Sequence, residues 1–384
     1  MSRGFSTYLD AVRFCAAFLV LLSHFAYPRF SDGRWLWVQD YDLGSDAVVV
    51  FFVLSGLVIS HATQIKQSSA GAYVFDRTTR LLSVAVPALL IGAILDRFGS
   101  QIAPHLYSSW IYNPLPVWEL LLRGVTFSNE WGGVATRLGT NGPYWSLSYE
   151  AAYYALFGIA MFTTGLRRMS MLAIAAWIFG INILLLLPVW LMGIATHKAI
   201  ASDLNLSRAI SLVFAVLPVG AYIIALAMNI PFHLKSPVAQ FDASLRFSND
   251  FIWNSLLAVL VSVHLIGMAH LLRRTAQIRC QTRIRWLANG SFSLYVLYYP
   301  VLQFMAASGM ASRDRTGDVA LLGWTLAACY VFAEVSERRL PGLRKALLSL
   351  VTRFRLGTAC GLRDKDDTEQ SLVAKLLKSQ FGSG

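Results

Sequence analysis

The sequence predicts an all-α integral membrane protein, a bundle of about ten transmembrane helices with both termini in the cytoplasm. Three observations carry that expectation. Of 384 residues, 56% are hydrophobic and 14% charged, and the mean hydropathy is +0.53; a soluble domain of this length would carry far more charge on its surface. The apolar residues come in blocks of about 17–22, the length that crosses a bilayer core. The basic residues, which set a net charge of +12, lie in short linkers between those blocks, so nucleic acid is not expected as a partner.

The blocks fall at about 10–27, 44–62, 81–98, 143–164, 170–186, 188–201, 209–229, 251–271, 287–306 and 319–337, each judged by length and lack of charge. The fifth and sixth run together around Pro188. With the N-terminus inside, the linkers after even-numbered blocks are cytoplasmic, and these hold most of the Lys and Arg. Arg77 and Arg80, Arg167 and Arg168, Arg273 through Arg285, and Arg338 through Lys345 are examples. The opposite linkers mix fewer basic residues with acids such as Asp32, Asp42 and Asp318. That bias places both termini in the cytoplasm.

Two stretches are not apolar. Residues 99–142 are rich in Gly, Pro, Asn and Trp. Trp110, Trp118, Trp131 and Trp145 suit an interfacial belt, and the segment is either a re-entrant, substrate-facing loop or an interfacial one. Beyond about residue 352 the chain is charged, and TEQSLVAKLLKSQF can form an amphipathic helix on the inner surface. The expected organisation is a transmembrane domain over 1–345 and a cytoplasmic tail over 346–384, partly disordered or amphipathic helix. None of the four cysteines forms a CxxC pair, and no HExxH or Gly-rich phosphate loop occurs, so neither a bound metal nor a tightly held cofactor is expected. No cleavable signal is expected, because Asp10 and Arg13 interrupt the first block.

The first block, LDAVRFCAAFLVLLSHF at 9–25, carries Asp10, Arg13 and His24. Arg13 and His24 are eleven positions apart, so they share one helix stripe to within about 20° and lie about 16 Å apart along the axis. Such groups in a membrane helix face protein or a water-filled cavity. His24 is either a general base or a helix-end histidine turned to the interface. Asp10 can pair with Arg13. Glu150 sits about two turns into the fourth block, after the helix start Asn141-Gly142-Pro143, at a depth near that expected for His24. It either orients that histidine or a hydroxyl-rich acceptor, or bonds a neighbouring helix. Arg77 and Arg80, in FDRTTRLL, are one helical turn apart and suit a phosphate, or simply anchor the inner side. His61, His197 and His270 fall near inner helix ends and are expected to snorkel, with His264 deeper.

These motifs in this order (LDAVRFCAAFLVLLSH, FFVLSGLVIS, DRTTR, PYWSLSYE and SFSLYVLYYP) resemble the membrane-bound acyltransferase family 3 proteins. Those are bacterial inner-membrane enzymes that O-acylate surface polysaccharides, lipopolysaccharide, exopolysaccharides, lipo-oligosaccharide signals or antibiotic sugars. The similarity runs from the first helix to about residue 345. It implies that His24 drives acyl transfer with Arg13 and Glu150 beside it, and that Arg77 and Arg80 bind acyl-CoA. Asp46, Trp145, Ser146 and Tyr298 join them as substrate-binding candidates. Two departures stand out. The pattern GVDxFF has Val49 here in place of Asp, with Asp46 one turn earlier as a substitute. The LWHxP histidine is replaced by Tyr298, which can donate a hydrogen bond but is a poor base. The implied function is transfer of an acyl group, acetyl first, from cytoplasmic acyl-CoA to a hydroxyl of a cell-surface or secreted saccharide, with membrane lipids as surroundings. The alternative is a transporter or flippase of a lipid-linked sugar, whose buried charges would line a path; the sequence shows no internal duplication that would favour it.

Overall fold

Ser2 starts the first helix. Its hydroxyl accepts the Phe5 main-chain N–H at 3.1 Å, which satisfies one of the free donors at a helix start, and α1 then runs Arg3–Phe25. The structure, a computed structural model, describes residues 1–66, 69–202, 205–235, 241, 245–275, 278–311 and 314–360. It is helical throughout, and no strand occurs among the described residues. The chain forms two units, Met1–Glu337 and Arg338–Gly384.

In the first unit, α1 leads through two short helices, α2 (Pro28–Ser31) and α3 (Leu36–Asp40), into α4 (Leu43–Lys66). There follow α5 (Ala70–Ile102), α6 (Val117–Thr126), α7 (Trp145–Phe162), α8 (Gly165–Phe179), α9 (Ile181–Leu185) and α10 (Leu187–Ala201). The rest are α11 (Arg208–Ala227), α12 (Ile230–Lys235), α13 (Phe251–Leu271), α14 (Gln281–Ala288), α15 (Ser291–Met305) and α16 (Arg315–Val335). The second unit holds one described helix, α17 (Leu340–Cys360). The stretch expected as an amphipathic tail helix lies outside the described residues.

The bundle is organised around α4 and α15. α4 packs on both α1 and α10, and α15 packs on α1, α5 and α16. The α4–α10 crossing depends on two glycines. A Cβ on Gly56 would lie 2.1 Å from the Trp190 carbonyl oxygen, and one on Gly193 would lie 2.0 Å from that of Val53. Small residues of this kind let helix backbones touch where lipid supplies no hydrophobic drive. α15 is enclosed instead, with nearly every side chain from Ser291 to Gln303 buried.

Seven helices are long and apolar enough to cross a membrane: α1, α4, α5, the α9–α10 pair, α11, α13 and the segment that begins at Arg315. Three of the expected ten blocks are helical but fall outside that set by length or composition. The block at 143–164 becomes α7, which opens on the polar run Trp145-Ser146-Leu147-Ser148. The block at 170–186 breaks at Gly180, where φ is +83°, so α8 ends after 15 residues. α15 also has 15 residues, about 22 Å of helix against a core of about 30 Å.

Two linkers also differ from expectation. The DRTTR run belongs to α5, which begins at Ala70 with Ser69 as its cap. The 99–142 segment contains the amphipathic helix α6 and is fastened to the bundle. Tyr144 donates its hydroxyl to the Gly124 carbonyl at 2.8 Å, and Gln303 Nε2 donates to the Leu106 carbonyl at 2.6 Å. Of its tryptophans, Trp110 and Trp118 are exposed, as an interfacial belt requires. Trp131 packs edge-on against Phe179, and Trp145, at the start of α7, turns inward to line a cavity.

Candidate active site

The last turn of α1 carries His24. Its ring sits among three tyrosine rings, those of Tyr27, Tyr298 and Tyr299, with centroids 5.8, 5.7 and 5.2 Å away. Nδ1 lies 2.9 Å from the Val20 carbonyl oxygen and 2.9 Å from the Tyr298 hydroxyl. A carbonyl can only accept, so we assign the ring proton to Nδ1, donating to Val20 and Tyr298 together. That tautomer leaves the lone pair on Nε2, the atom a general base needs. Tyr298, which stands where the family pattern has histidine, thus touches the candidate base directly.

His24 lines a cavity of about 340 Å³. α4 contributes Val48 and Phe52, the 99–142 segment contributes Arg137, and α7 contributes Trp145. Lys235, at the end of α12, and Arg246, in the linker after it, complete the lining. Arg137 is held in place because its Nη1 donates to the Trp110 and Ile111 carbonyls at 2.5 and 2.9 Å.

A second cavity, of about 90 Å³, holds the other charged candidates. Arg13 of α1, Arg77 and Arg80 of α5, and Glu150 of α7 all line it. Arg13 is paired with Asp10 at 2.5 Å, and the Arg77 guanidinium lies 5.8 Å from the Tyr154 ring centroid. Arg77 Nε is buried with no hydrogen-bond partner among the described residues. Ser146 lines this cavity too, and its hydroxyl meets that of Tyr295 at 2.7 Å. The two cavities share Val48, Phe52 and Tyr295 as walls. One partition of three side chains therefore separates the histidine from the arginine cluster.

Two candidates stand elsewhere than the sequence suggested. Glu150 does not orient His24: its carboxylate accepts from Ser55 Oγ at 2.7 Å and from the Tyr154 hydroxyl, on the arginine side of the partition. Asp46 does not replace the missing acid at position 49. It accepts from Tyr222 Oη and Trp253 Nε1, both at 2.7 Å, and faces α11 and α13, whereas Val49 lines the His24 cavity. Three residues are about 300° of helix, so the faces differ by about 60°, enough to turn the carboxylate away. The inner histidines do not all snorkel either. His197 is buried, with Nδ1 2.9 Å from Ser60 Oγ and Nε2 3.2 Å from His61 Nδ1. His264 bonds the Tyr8 hydroxyl and lies 2.6 Å from the Ala215 carbonyl.

Sequence reasoning missed Arg137, Lys235 and Arg246. Arg137 and Arg246 come from linkers and Lys235 ends the short helix α12, and none belongs to a local pattern. The segment that carries Arg137 is latched by Asp96 of α5. Its carboxylate is buried and accepts from the Thr140 main-chain N–H at 2.8 Å and the Thr140 hydroxyl at 2.6 Å. Asp96→Ala would leave both donors buried and unpaired, at a cost on the order of 2–4 kcal/mol. A lower melting temperature is expected for the purified variant by tryptophan fluorescence, together with loss of whatever activity needs Arg137 in place. An unchanged melting curve would show that the latch carries no weight.

No curated protein matches the chain, and no solved structure does. A family model does: the one described as an acyltransferase domain, of the acyltransferase 3 family, matches residues 6–334 and so takes in both cavities and the partition between them. No cluster of metal-ligating side chains occurs among the described residues. With a match over most of its length, the chain belongs to membrane acyltransferase family 3 and carries an acyltransferase domain.

Proposed function

We propose that the protein is an O-acyltransferase of a bacterial inner membrane that moves an acyl group, acetyl in the simplest case, from cytoplasmic acyl-CoA to a hydroxyl of a saccharide. The observation that carries this reading is the partition. A histidine with a free Nε2 and a cluster of three arginines line two cavities that meet at Val48, Phe52 and Tyr295. A thioester passing that partition from the arginine side would present its carbonyl on the histidine side.

The charge bias of the linkers supports a cytoplasmic side for the arginine cavity. Arg77 and Arg80, with Arg13, would take the CoA phosphates, since guanidinium forks suit phosphate. Glu150 would offset part of that positive charge and accept an amide N–H of the pantetheine arm. On the other side, His24 Nε2 takes the proton of the attacking hydroxyl. The hydroxyl oxygen bonds the carbonyl carbon, the carbon–sulfur bond breaks, and the CoA thiolate leaves and takes the proton back from the imidazolium. Tyr298 and the Val20 carbonyl hold the ring in the tautomer that makes this possible. A flippase would need no thioester donor and no base. Labelled acetyl-CoA incubated with membranes separates the two: label entering saccharide only when the protein is present supports acyl transfer, and saccharide that crosses the membrane unlabelled would refute it.

A further inference from the structure

The His24 cavity holds more charge than acyl transfer requires. Arg137, Lys235 and Arg246 line it against only two carboxylates, Asp42 and Asp250. Lys235 is paired with Asp250 at 3.5 Å. The two arginines are less closely matched: among the described residues neither has a carboxylate within ion-pair distance, and the acid that feels Arg246, Glu130, lies beyond it. Arg137 spends Nη1 on two main-chain carbonyls, and Arg246 donates its Nη1 to the Ala135 carbonyl at 3.3 Å. Carbonyls fix a guanidinium but do not neutralise it. Because Arg246 is tied to the backbone two residues before Arg137, the two charges are held on one side of the cavity by one stretch of chain. Each keeps uncommitted N–H donors, which is the usual arrangement for meeting an anion.

Two further features describe what such an anion would be attached to. Trp145 and Phe247 stack in parallel, ring centroids 4.3 Å apart and planes 3° from coplanar, and both line the cavity. A flat aromatic pair of this kind offers a face to the apolar side of a sugar ring. Asn254 also lines the cavity, is 5% exposed, and its Oδ1 has no hydrogen-bond partner among the described residues. A buried amide oxygen without a donor is costly, and a ligand hydroxyl would satisfy it.

We propose that the acceptor is an anionic saccharide: its negative group is held by Arg137 and Arg246, a sugar ring lies on the Trp145–Phe247 pair, and a hydroxyl donates to Asn254. The inference rests on the acyl-transfer reading for the statement that this cavity is the acceptor side, and names the class of acceptor. The negative group is either a carboxylate on the sugar or a phosphate through which the sugar is linked. Both present charged oxygens to guanidinium, and the test tells them apart.

The test uses the full chain in nanodiscs of neutral lipid. Three probes are compared: a uronic-acid oligosaccharide, the same oligosaccharide with its carboxyls reduced to alcohols, and inorganic pyrophosphate. Preference for the acid form over the reduced form by roughly tenfold, the worth of one charge-assisted contact, assigns the anion to the sugar. Pyrophosphate binding with no such preference assigns it to a phosphate. In either case Arg246→Gln abolishes the effect and Arg246→Lys retains part of it. Arg246 is the residue to change because it is exposed, so folding does not depend on it, whereas Arg137 braces its own segment. The proposal is overturned if acid and reduced forms bind alike and pyrophosphate does not bind, or if Arg246→Gln leaves the binding unaltered. Transfer of labelled acetyl to both oligosaccharides is measured in parallel. Equal transfer to the reduced form, with no pyrophosphate binding, overturns the anionic acceptor and leaves acyl transfer standing. Arg246-dependent anion binding without any transfer refutes acyl transfer to these sugars and leaves the anion site standing.

Discussion

His24→Ala will lower acetyl transfer by about 10²- to 10⁴-fold, the range spanned by loss of a general acid–base group. The amount of protein in the membrane should not change, because the ring is only partly buried and its one main-chain contact is to its own helix. Tyr298→Phe gives the complementary result. Its hydroxyl bonds Nδ1 and not the reacting nitrogen, so its loss weakens the hold on the ring while the Val20 carbonyl keeps the proton in place. The expected effect is a fall in kcat of up to about tenfold, the worth of one neutral hydrogen bond, with KM for the donor unaltered. If Tyr298→Phe were as damaging as His24→Ala, the phenol would have to act on substrate itself. If His24→Ala transferred acetyl normally, the base would lie elsewhere.

The second large effect is on the donor side. Arg77→Ala or Arg80→Ala will raise KM for acetyl-CoA by roughly ten- to a hundredfold, as expected for a charge-assisted contact to phosphate. The value of kcat should stay close to that of the unaltered protein. Arg77 is the sharper test, since its Nε is buried and has no partner among the described residues. Arg13→Ala is less clean because it also frees Asp10 from its ion pair. Acetyl-pantetheine, which lacks the phosphates, provides the control. Its KM should not respond to any of these changes, and a matching rise there would mean that the arginines shape the cavity and do not bind phosphate.

The stripe on α1 was legible from spacing alone. Eleven residues return a helix to nearly the same face, and the fold does turn both Arg13 and His24 toward the interior, one to each cavity. Glu150 shows where such reasoning stops. Counting residues gives its height along the helix axis, and that height put it near His24. The direction it faces depends on how α7 is rotated against α4, and that rotation hands its carboxylate to Ser55 and Tyr154. Asp46 fails for the same reason, with a rotation of about 60° separating it from Val49. The expected ten spans rested on length and lack of charge, and among the described residues seven helices meet a span's length and composition. α15 is apolar because it is enclosed by α1, α5 and α16, and hydropathy does not distinguish protein surroundings from lipid.

The sequence by itself determined that this is a helical membrane protein, which family it resembles, and which residue types stand in its motifs. Hydropathy, periodicity and motif spacing are local properties, carried by stretches of a few turns, and they survive without knowledge of neighbours. Which of those charges share a cavity was decided only by the tertiary structure. Tyr298 meets His24 because α15 lies against α1, and Arg137, Lys235 and Arg246 converge because two linkers and the end of α12 meet at one cavity. The first of these meetings joins residues 274 positions apart, and both depend on helix rotation and loop closure, quantities that no local pattern records.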